Sequence, residues 1–155
     1  MTTQEKKAEA LAFLKANNIG VLATVSAENM PHASVVYYSC DDSFSIYFAT
    51  RFNSRKYQAM RRHPNVAFTV GVEGTPQTMQ IEGLAEEIVS ADEKMKILPG
   101  LIRALTTNEK YFAPLTKLNP SEIVVMWIKP QWIRWGDYAI KGIGTDNVQF
   151  EIPLS

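Results

Sequence analysis

The sequence has a single cysteine, Cys40, so no disulfide can close within it, which fits a reducing compartment. It has only two histidines, His32 and His63, and neither stands at metal-ligand spacing from Cys40. No apolar run approaches the roughly 20 residues of a membrane span. The polar start, Met1 to Lys7, is not followed by a signal-type apolar segment. There is no glycine-rich Walker loop and no dinucleotide-type Gly-x-Gly-x-x-Gly, which argues against a nucleotide triphosphatase. Sixteen basic residues balance sixteen acidic ones, and a neutral chain is a poor candidate for a nucleic-acid binder. The expectation is a cytoplasmic protein with neither membrane nor nucleic acid as partner.

One further absence is local. From Ser43 to Val72 there is no Asp or Glu, yet the stretch holds Arg51, Arg55, Lys56, Arg61 and Arg62. Cations kept clear of carboxylates can hold an anion. The run Thr50 to Lys56 sits where a strand ends and a helix begins, with Ser54 as a cap. A helix opening there leaves the N–H groups of Arg55, Lys56 and Tyr57 free, and these with the helix dipole favour an anion. The Ser54 hydroxyl can donate, and Arg55 and Lys56 can neutralise two charges, which suits a terminal phosphate monoester. The competing reading is a capped surface helix with solvated cations.

What is present points to one β-rich domain over residues 1–155, since 155 residues match a single domain and 46% of them are hydrophobic. Glu5 to Asn17 has helical spacing of Ala10, Leu11, Phe13 and Leu14. Strands are expected at Ile19–Ser26, His32–Cys40 and Phe44–Ala49, with turns at Ala27–Pro31 and Asp41–Asp42. A helix from Ser54 to Arg62 stops at His63-Pro64. Alternation resumes at Val66–Val72, a turn follows at Glu73–Pro76, and Thr78–Val89 is a long strand with a bulge or bend at Gly83. A helix from Ser90 to about Thr107 should break or kink at Pro99-Gly100. Glu122–Trp135 is the last long strand, bent near Pro130, with a short strand at Val148–Ile152. About six strands in hairpin order favour a closed or nearly closed antiparallel barrel.

Other chemistry is thin. His63 at a helix end fits a dipole contact, and nothing local supports a Cys–His nucleophile. Trp127 and Trp135 have the same parity and Trp132 the other, unless Pro130 shifts the register; core or interface packing is their plain reading, though a planar heterocycle would find a wall there. Arg134, beside Trp135, offers a second-site cation. Tyr37, Tyr38 and Tyr47 are candidate proton donors or core residues.

The sequence resembles the FMN-binding split-barrel superfamily typified by pyridoxamine 5′-phosphate oxidase, from Ile19 to about Trp135. The match runs through Ile19-Gly20-Val21-Leu22-Ala23-Thr24 and Met30 to Val36. It is sharpest at Tyr47-Phe48-Ala49-Thr50, Asn53-Ser54-Arg55-Lys56 and Arg62-His63-Pro64-Asn65-Val66. The resemblance implies a mainly β, six-stranded antiparallel split barrel with flanking helices. It implies FMN phosphate at Ser54, Arg55 and Lys56, with Asn53 in the same element, and Ala49 and Thr50 by the ribityl chain and ring edge. Ser34, Val35 and Val36 would run along the isoalloxazine. Thr78 and Gln80 would supply polar contacts, and Trp135 would come from the partner of a homodimer with cofactor sites at its interface.

The departures bear on activity. Ser34 and Ser39 stand where the true oxidase has an arginine and a lysine, and nothing after Trp135 matches its Arg-x-His-x-Arg element. The expected function is an FMN oxidoreductase moving hydride or electrons between a reduced nicotinamide or similar donor and a small molecule. The alternatives are a non-catalytic flavin or stress protein, a member of the fold binding the deazaflavin coenzyme or haem, and, weakest, an apo barrel binding single-stranded nucleic acid through aromatics and Arg61-Arg62.

Overall fold

A computed structural model describes residues 2–71, 76–106, 119–139 and 148–154. Helix α1 (Thr3–Ala16) opens with a capping box. The Glu5 N–H donates to the Thr2 hydroxyl at 3.1 Å, and the Thr2 N–H donates to the Glu5 carboxylate at 2.7 Å. The helix therefore starts ahead of the expected Glu5. The strands are β1 (Ile19–Val25), β2 (Pro31–Tyr37), β3 (Ser39–Cys40) and β4 (Ile46–Arg51); helix α2 (Arg55–Arg62) follows. Then come β5 (Asn65–Val70), β6 (Gln77–Glu87), helix α3 (Ala91–Thr106), a 3-10 turn (Pro120–Glu122), β7 (Ile123–Asp137) and β8 (Gln149–Glu151). The expected turn at Glu73 to Thr75, Val72 and the expected helix end at Thr107 lie outside the described residues.

All strands pair antiparallel in the order β2-β1-β5-β6-β7-β4-β3, with β8 on β7. The outermost strands of this order, β2 and β3, are separated in sequence by Tyr38 alone. Sheet ends joined by one residue can exist only if the sheet curls until they meet. The result is a mainly β split barrel, its seam between β2 and β3. The strand expected over His32–Cys40 is thus two strands, and its last part pairs with β4 rather than β1. Together with β8 this gives eight strands among the described residues where about six were expected.

Two local expectations are corrected. Phe44 is not in a strand: it takes a left-handed φ of 63° with its ring buried, and the strand starts at Ile46. The Asp41 carboxylate accepts from the N–H groups of Ser43 and Ser45 and holds this turn. Helix α3 is not broken at Pro99-Gly100 but runs through to Thr106, its inner face fixed by buried Leu101 and Ala104. Packing overrides the local cost of the proline.

The barrel interior is filled by Leu22, Phe48, Phe68, Met79, Ile81, Ile128 and Ile133, all essentially inaccessible. A second cluster lies between α3 and the outer face of β4 and β7: Ile88, Leu101 and Val125, with Tyr47, Ala49 and Trp127 packed against it. The two faces of β7 are set by the expected bulge. Glu82 pairs with Trp132 and Gly83 with Pro130, so Gln131 is left over. Trp127 and Trp132, opposite Glu86 and Glu82, consequently share the outer face, while Trp135, opposite Met79, points into the core. Bare parity grouped Trp127 with Trp135; the register shift at Pro130 separates them.

Gly83 is required at this bulge, since a Cβ there would lie 2.4 Å from the Lys129 carbonyl oxygen. Gly83→Ala is expected to cost about 1–3 kcal/mol, the usual range for overpacking, read as a lower urea midpoint at unchanged slope.

Candidate functional site

The acid-free segment forms the junction of β4 and α2. Thr50 is the last buried residue of β4, and the chain then turns through exposed Arg51, Phe52 and Asn53. The turn is tied by the Ser54 N–H to the Arg51 carbonyl at 3.1 Å and the Phe52 N–H to the Glu122 carbonyl at 3.1 Å. Ser54 has extended dihedrals (φ −72°, ψ 152°) and caps α2, its Oγ accepting from the Tyr57 N–H at 3.2 Å. The Thr50 hydroxyl donates to the same Oγ at 2.9 Å. Holding two donors already, Ser54 keeps its own proton for an outside acceptor.

The first turn of α2 contains no acid, and the N–H groups of Arg55 and Lys56 precede the first intrahelical bond. Lys56 is half-buried, and burial pushes its pKa down. Among the described residues no carboxylate lies within ion-pair distance of Lys56 or Arg55. Buried Tyr57, Ala59 and Met60 lock the inner face of the helix onto the barrel. A fixed helix start, one hydroxyl proton and two uncompensated cations are a donor set whose chemistry suits a dianionic oxyanion. Beside it, between α2 and the β1–β2 turn, lies a cavity of about 670 Å³ lined by Met30, His32, Asn53, Arg55, Gln58 and Arg62, among others.

The structure brings Thr50, Asn53, Ser54, Arg55 and Lys56 together. It divides the expected ring wall on β2. His32, Ser34 and Val36 share one face, grading from exposed to buried, whereas Val35 is 64% exposed on the other. His32 lines the same cavity as Asn53 and Arg55, so this face of β2 leads from the cavity into the barrel. Ala49 faces α3 with Tyr47, on the opposite side of β4 from Thr50. Thr78 and Gln80 lie on the outer face of β6, opposite Gly136 and Arg134. Trp135 is 6% exposed within the core, and its indole N–H has no partner among the described residues. A single chain does not join Thr78, Gln80 or Trp135 to the cluster at the start of α2.

Sequence reasoning missed a second hollow, of about 560 Å³, between the end of α1, β3 and α3. Its lining includes Cys40, Asp41, Tyr47, Lys96 and Arg103. The Tyr47 hydroxyl donates to Asp41 Oδ2 at 2.8 Å, and its ring stacks on Trp127 with centroids 6.5 Å apart. Burial, then Asp41, pushes the Tyr47 pKa up to about 12. Burial pushes the Cys40 thiol up to about 11, so it stays protonated at neutral pH. Tyr38 is engaged elsewhere, donating to the Leu14 carbonyl at 2.7 Å. The signal for this hollow was the 3–4 spacing of Lys96, Gly100 and Arg103 on α3. His63 is the C-cap of α2. Among the described residues no group of three His, Cys, Asp or Glu could hold a metal ion, and no helix is long and apolar enough to cross a membrane.

A family model described as pyridoxamine 5′-phosphate oxidase matches residues 7–135. No curated protein matches the sequence. Among solved structures, the chain is similar to general stress protein 26 from Bacillus anthracis str. Sterne, with 26% identity, a TM-score of 0.64, and coverage of 84% of this chain and 93% of that one. It is similar in fold to an FAD-binding protein from Mesorhizobium loti (20% identity, TM-score 0.66, 83% and 91% covered). It is likewise similar in fold to a heme binding protein from Mycobacterium smegmatis (18% identity, TM-score 0.69, 97% and 57% covered).

The two duties of Ser54, cap and anion donor, are separable. Ser54→Ala should cost about 1 kcal/mol of stability through loss of the cap. Ser54→Asp keeps a capping acceptor and should hold stability near wild type while placing a negative charge in the site. Thermal scans with and without inorganic phosphate check both, the expected outcome being phosphate stabilisation of wild type and none of Ser54→Asp.

Proposed function

The chain belongs to the pyridoxamine 5′-phosphate oxidase family, matched over residues 7–135, and from that premise we propose that it is a flavoprotein oxidoreductase holding FMN by its phosphate at Ser54, Arg55 and Lys56. The observation that carries this reading is the uncompensated, half-buried Lys56 beside a serine hydroxyl with a spare proton at a helix start. This donor set fits a phosphate monoester, which carries close to two charges at neutral pH. Thr50 acts one step back: its hydroxyl fixes the Ser54 oxygen and so directs the Ser54 proton outward. The half-buried, apolar-backed start of α2 excludes water from one side of the phosphate and strengthens each contact.

Hydride or electron transfer between a reduced nicotinamide or similar donor and a small molecule is the chemistry that FMN supplies when bound. The chain's part is to orient the ring and set its polarity. Ser34 on the inner face of β2 is a candidate for that, with Val35 and Val36 flanking it on the two faces of β2, whereas Ala49, packed toward α3 on the far side of β4 from Thr50, suits it less. We further propose one domain over residues 1–155, in the cytoplasm, acting as a homodimer. Thr78 and Gln80 present polar groups on an outer face and suit contact with the cofactor of a second copy. Trp135 is enclosed by its own barrel and suits that role less. Oxidation of pyridoxamine phosphate itself is not proposed, because Ser34 and Ser39 replace the cationic pair of the oxidase.

The absorption spectrum of the purified protein tests the cofactor class, a flavin spectrum being expected and a Soret band pointing to haem instead. Titration with FMN, followed by flavin fluorescence, is expected to show that Arg55→Ala with Lys56→Ala weakens binding roughly 100-fold, the loss of one to two charge-assisted contacts. Equal affinities would overturn the phosphate assignment. Lys56→Met should weaken FMN binding yet raise the stability of the free protein, because burial disfavours the charged lysine. The sign with pH follows: a lysine whose folded pKa is depressed costs stability while it is charged, so the gap between Lys56→Met and wild type should narrow as the pH rises through that pKa.

A further inference from the structure

We infer that the groove along α3 binds a small aromatic acid that carries a hydroxyl on its ring. This goes beyond the flavin reading and does not depend on it. Tyr47 and Ala49 face α3 on the opposite side of β4 from Thr50, so the groove lies away from the cluster at the start of α2. Two hollows make up the groove. The larger, of about 560 Å³, has the usual size of a small-molecule site. The smaller, of about 270 Å³, adjoins it, and Tyr47, Lys96 and Ile97 line both.

The shared wall is aromatic and held in place. The Tyr47 ring lies 22° from parallel to Trp127, and its hydroxyl is pinned by Asp41. Asp41 also accepts from the N–H groups of Ser43 and Ser45, so its carboxylate is satisfied within its own turn. A flat apolar ring suits such a wall. The cations stand at one end. Lys15 is already paired with Asp42, whereas Lys96 has no carboxylate within ion-pair distance among the described residues. Arg103 comes seven residues after Lys96, but its side chain folds back along α3. Its Nη2 lies 3.9 Å from where a Cβ would stand on Gly100. The guanidinium is therefore only about one helical turn, about 6 Å, from the level of Lys96. A carboxylate between the two meets both positive groups. Glu93 and Trp127 stand at the other end, in the smaller hollow. The Trp127 indole N–H is shielded from solvent and has no partner among the described residues, a costly state for a donor. A ring hydroxyl relieves it, accepting from Trp127 while donating to Glu93. Glu93 also repels a second acid at that end, which restricts the ligand to one carboxylate.

The test is calorimetric titration of the full chain with 4-hydroxybenzoate, benzoate and cyclohexanecarboxylate. The expected order is 4-hydroxybenzoate about fivefold tighter than benzoate, the gain of one hydrogen bond, and benzoate about fivefold tighter than the non-aromatic acid. Lys96→Ala, at an exposed position, should fold as wild type does and weaken all three about tenfold, the loss of one charge-assisted contact. Trp127→Phe should bring 4-hydroxybenzoate down to the level of benzoate and leave benzoate within about twofold. Excess FMN should not displace the acid. Absence of binding by the aromatic acids, equal affinity for benzoate and cyclohexanecarboxylate, or an unchanged affinity in Lys96→Ala overturns the inference. Displacement of the acid by FMN overturns it as well, since the acid would then occupy the flavin site.

Discussion

The barrel depends on how one residue is held. Tyr38 is the only link between the two outermost strands of the sheet, and its N–H, hydroxyl and ring are all engaged. Its N–H donates to the Asn18 carbonyl at 2.9 Å and its hydroxyl to the Leu14 carbonyl at 2.7 Å. Its ring meets Phe68 edge-on, with centroids 5.3 Å apart. These contacts tie the seam to the end of α1, to the α1–β1 link and to the far wall of the barrel at once. A buried tyrosine hydroxyl left without an acceptor would cost about 1–3 kcal/mol, so the seam and the docking of α1 stand or fall together. Burial raises the phenol far above its ordinary pKa, which keeps this donor in place across the whole working pH range.

Closure at Tyr38 also determines what β4 can do. Paired to β7 on one side and to only two residues of β3 on the other, β4 leaves the barrel at Thr50 with its last inner side chain still enclosed. That buried hydroxyl then orders the cap of α2. The proposed anion site is thus an extension of the core: the interior fixes Thr50, Thr50 fixes the Ser54 oxygen, and Ser54 fixes the start of the helix. Lys56 runs the other way. A half-buried cation without a carboxylate is a local cost that a close-packed barrel can bear and that a bound anion relieves.

Much of this was legible in the sequence because it is local. The Ser54 cap, the missing acids, the bend at Gly83 and the alternation of β5 follow from neighbours a few residues apart. What was not legible depends on distant partners. The division of His32–Cys40 at Tyr38 comes from contacts with Leu14 and Asn18, and nothing within the strand announces it. Phe44 was read as a strand residue because its alternation fits, yet Asp41 and the core hold it in a turn. Pro99 and Gly100 carry the strongest breaking signals in the chain, and burial of Leu101 and Ala104 overrides them. For the site, the serine cap with its flanking cations was readable as a contiguous motif. The hollow at Tyr47, Lys96 and Arg103 was not, since it joins elements some fifty residues apart.

The extra residue at Gln131 has a wider meaning for β7. If Gln131 were paired in regular alternation, the strand would carry all its odd-numbered positions on one face from end to end. With Gln131 left over, the strand changes phase midway, and each half answers to a different environment: Trp127 to the helix-covered exterior, Trp135 to the barrel interior. One continuous strand thereby serves two packing layers without a break in its ladder. The same device makes the strand tolerant of length change at this one point, because losing Gln131 would leave Trp132 opposite Glu82 and Pro130 opposite Gly83, with Ile133 and Trp135 still inside, whereas losing a residue elsewhere in the strand would turn part of it inside out.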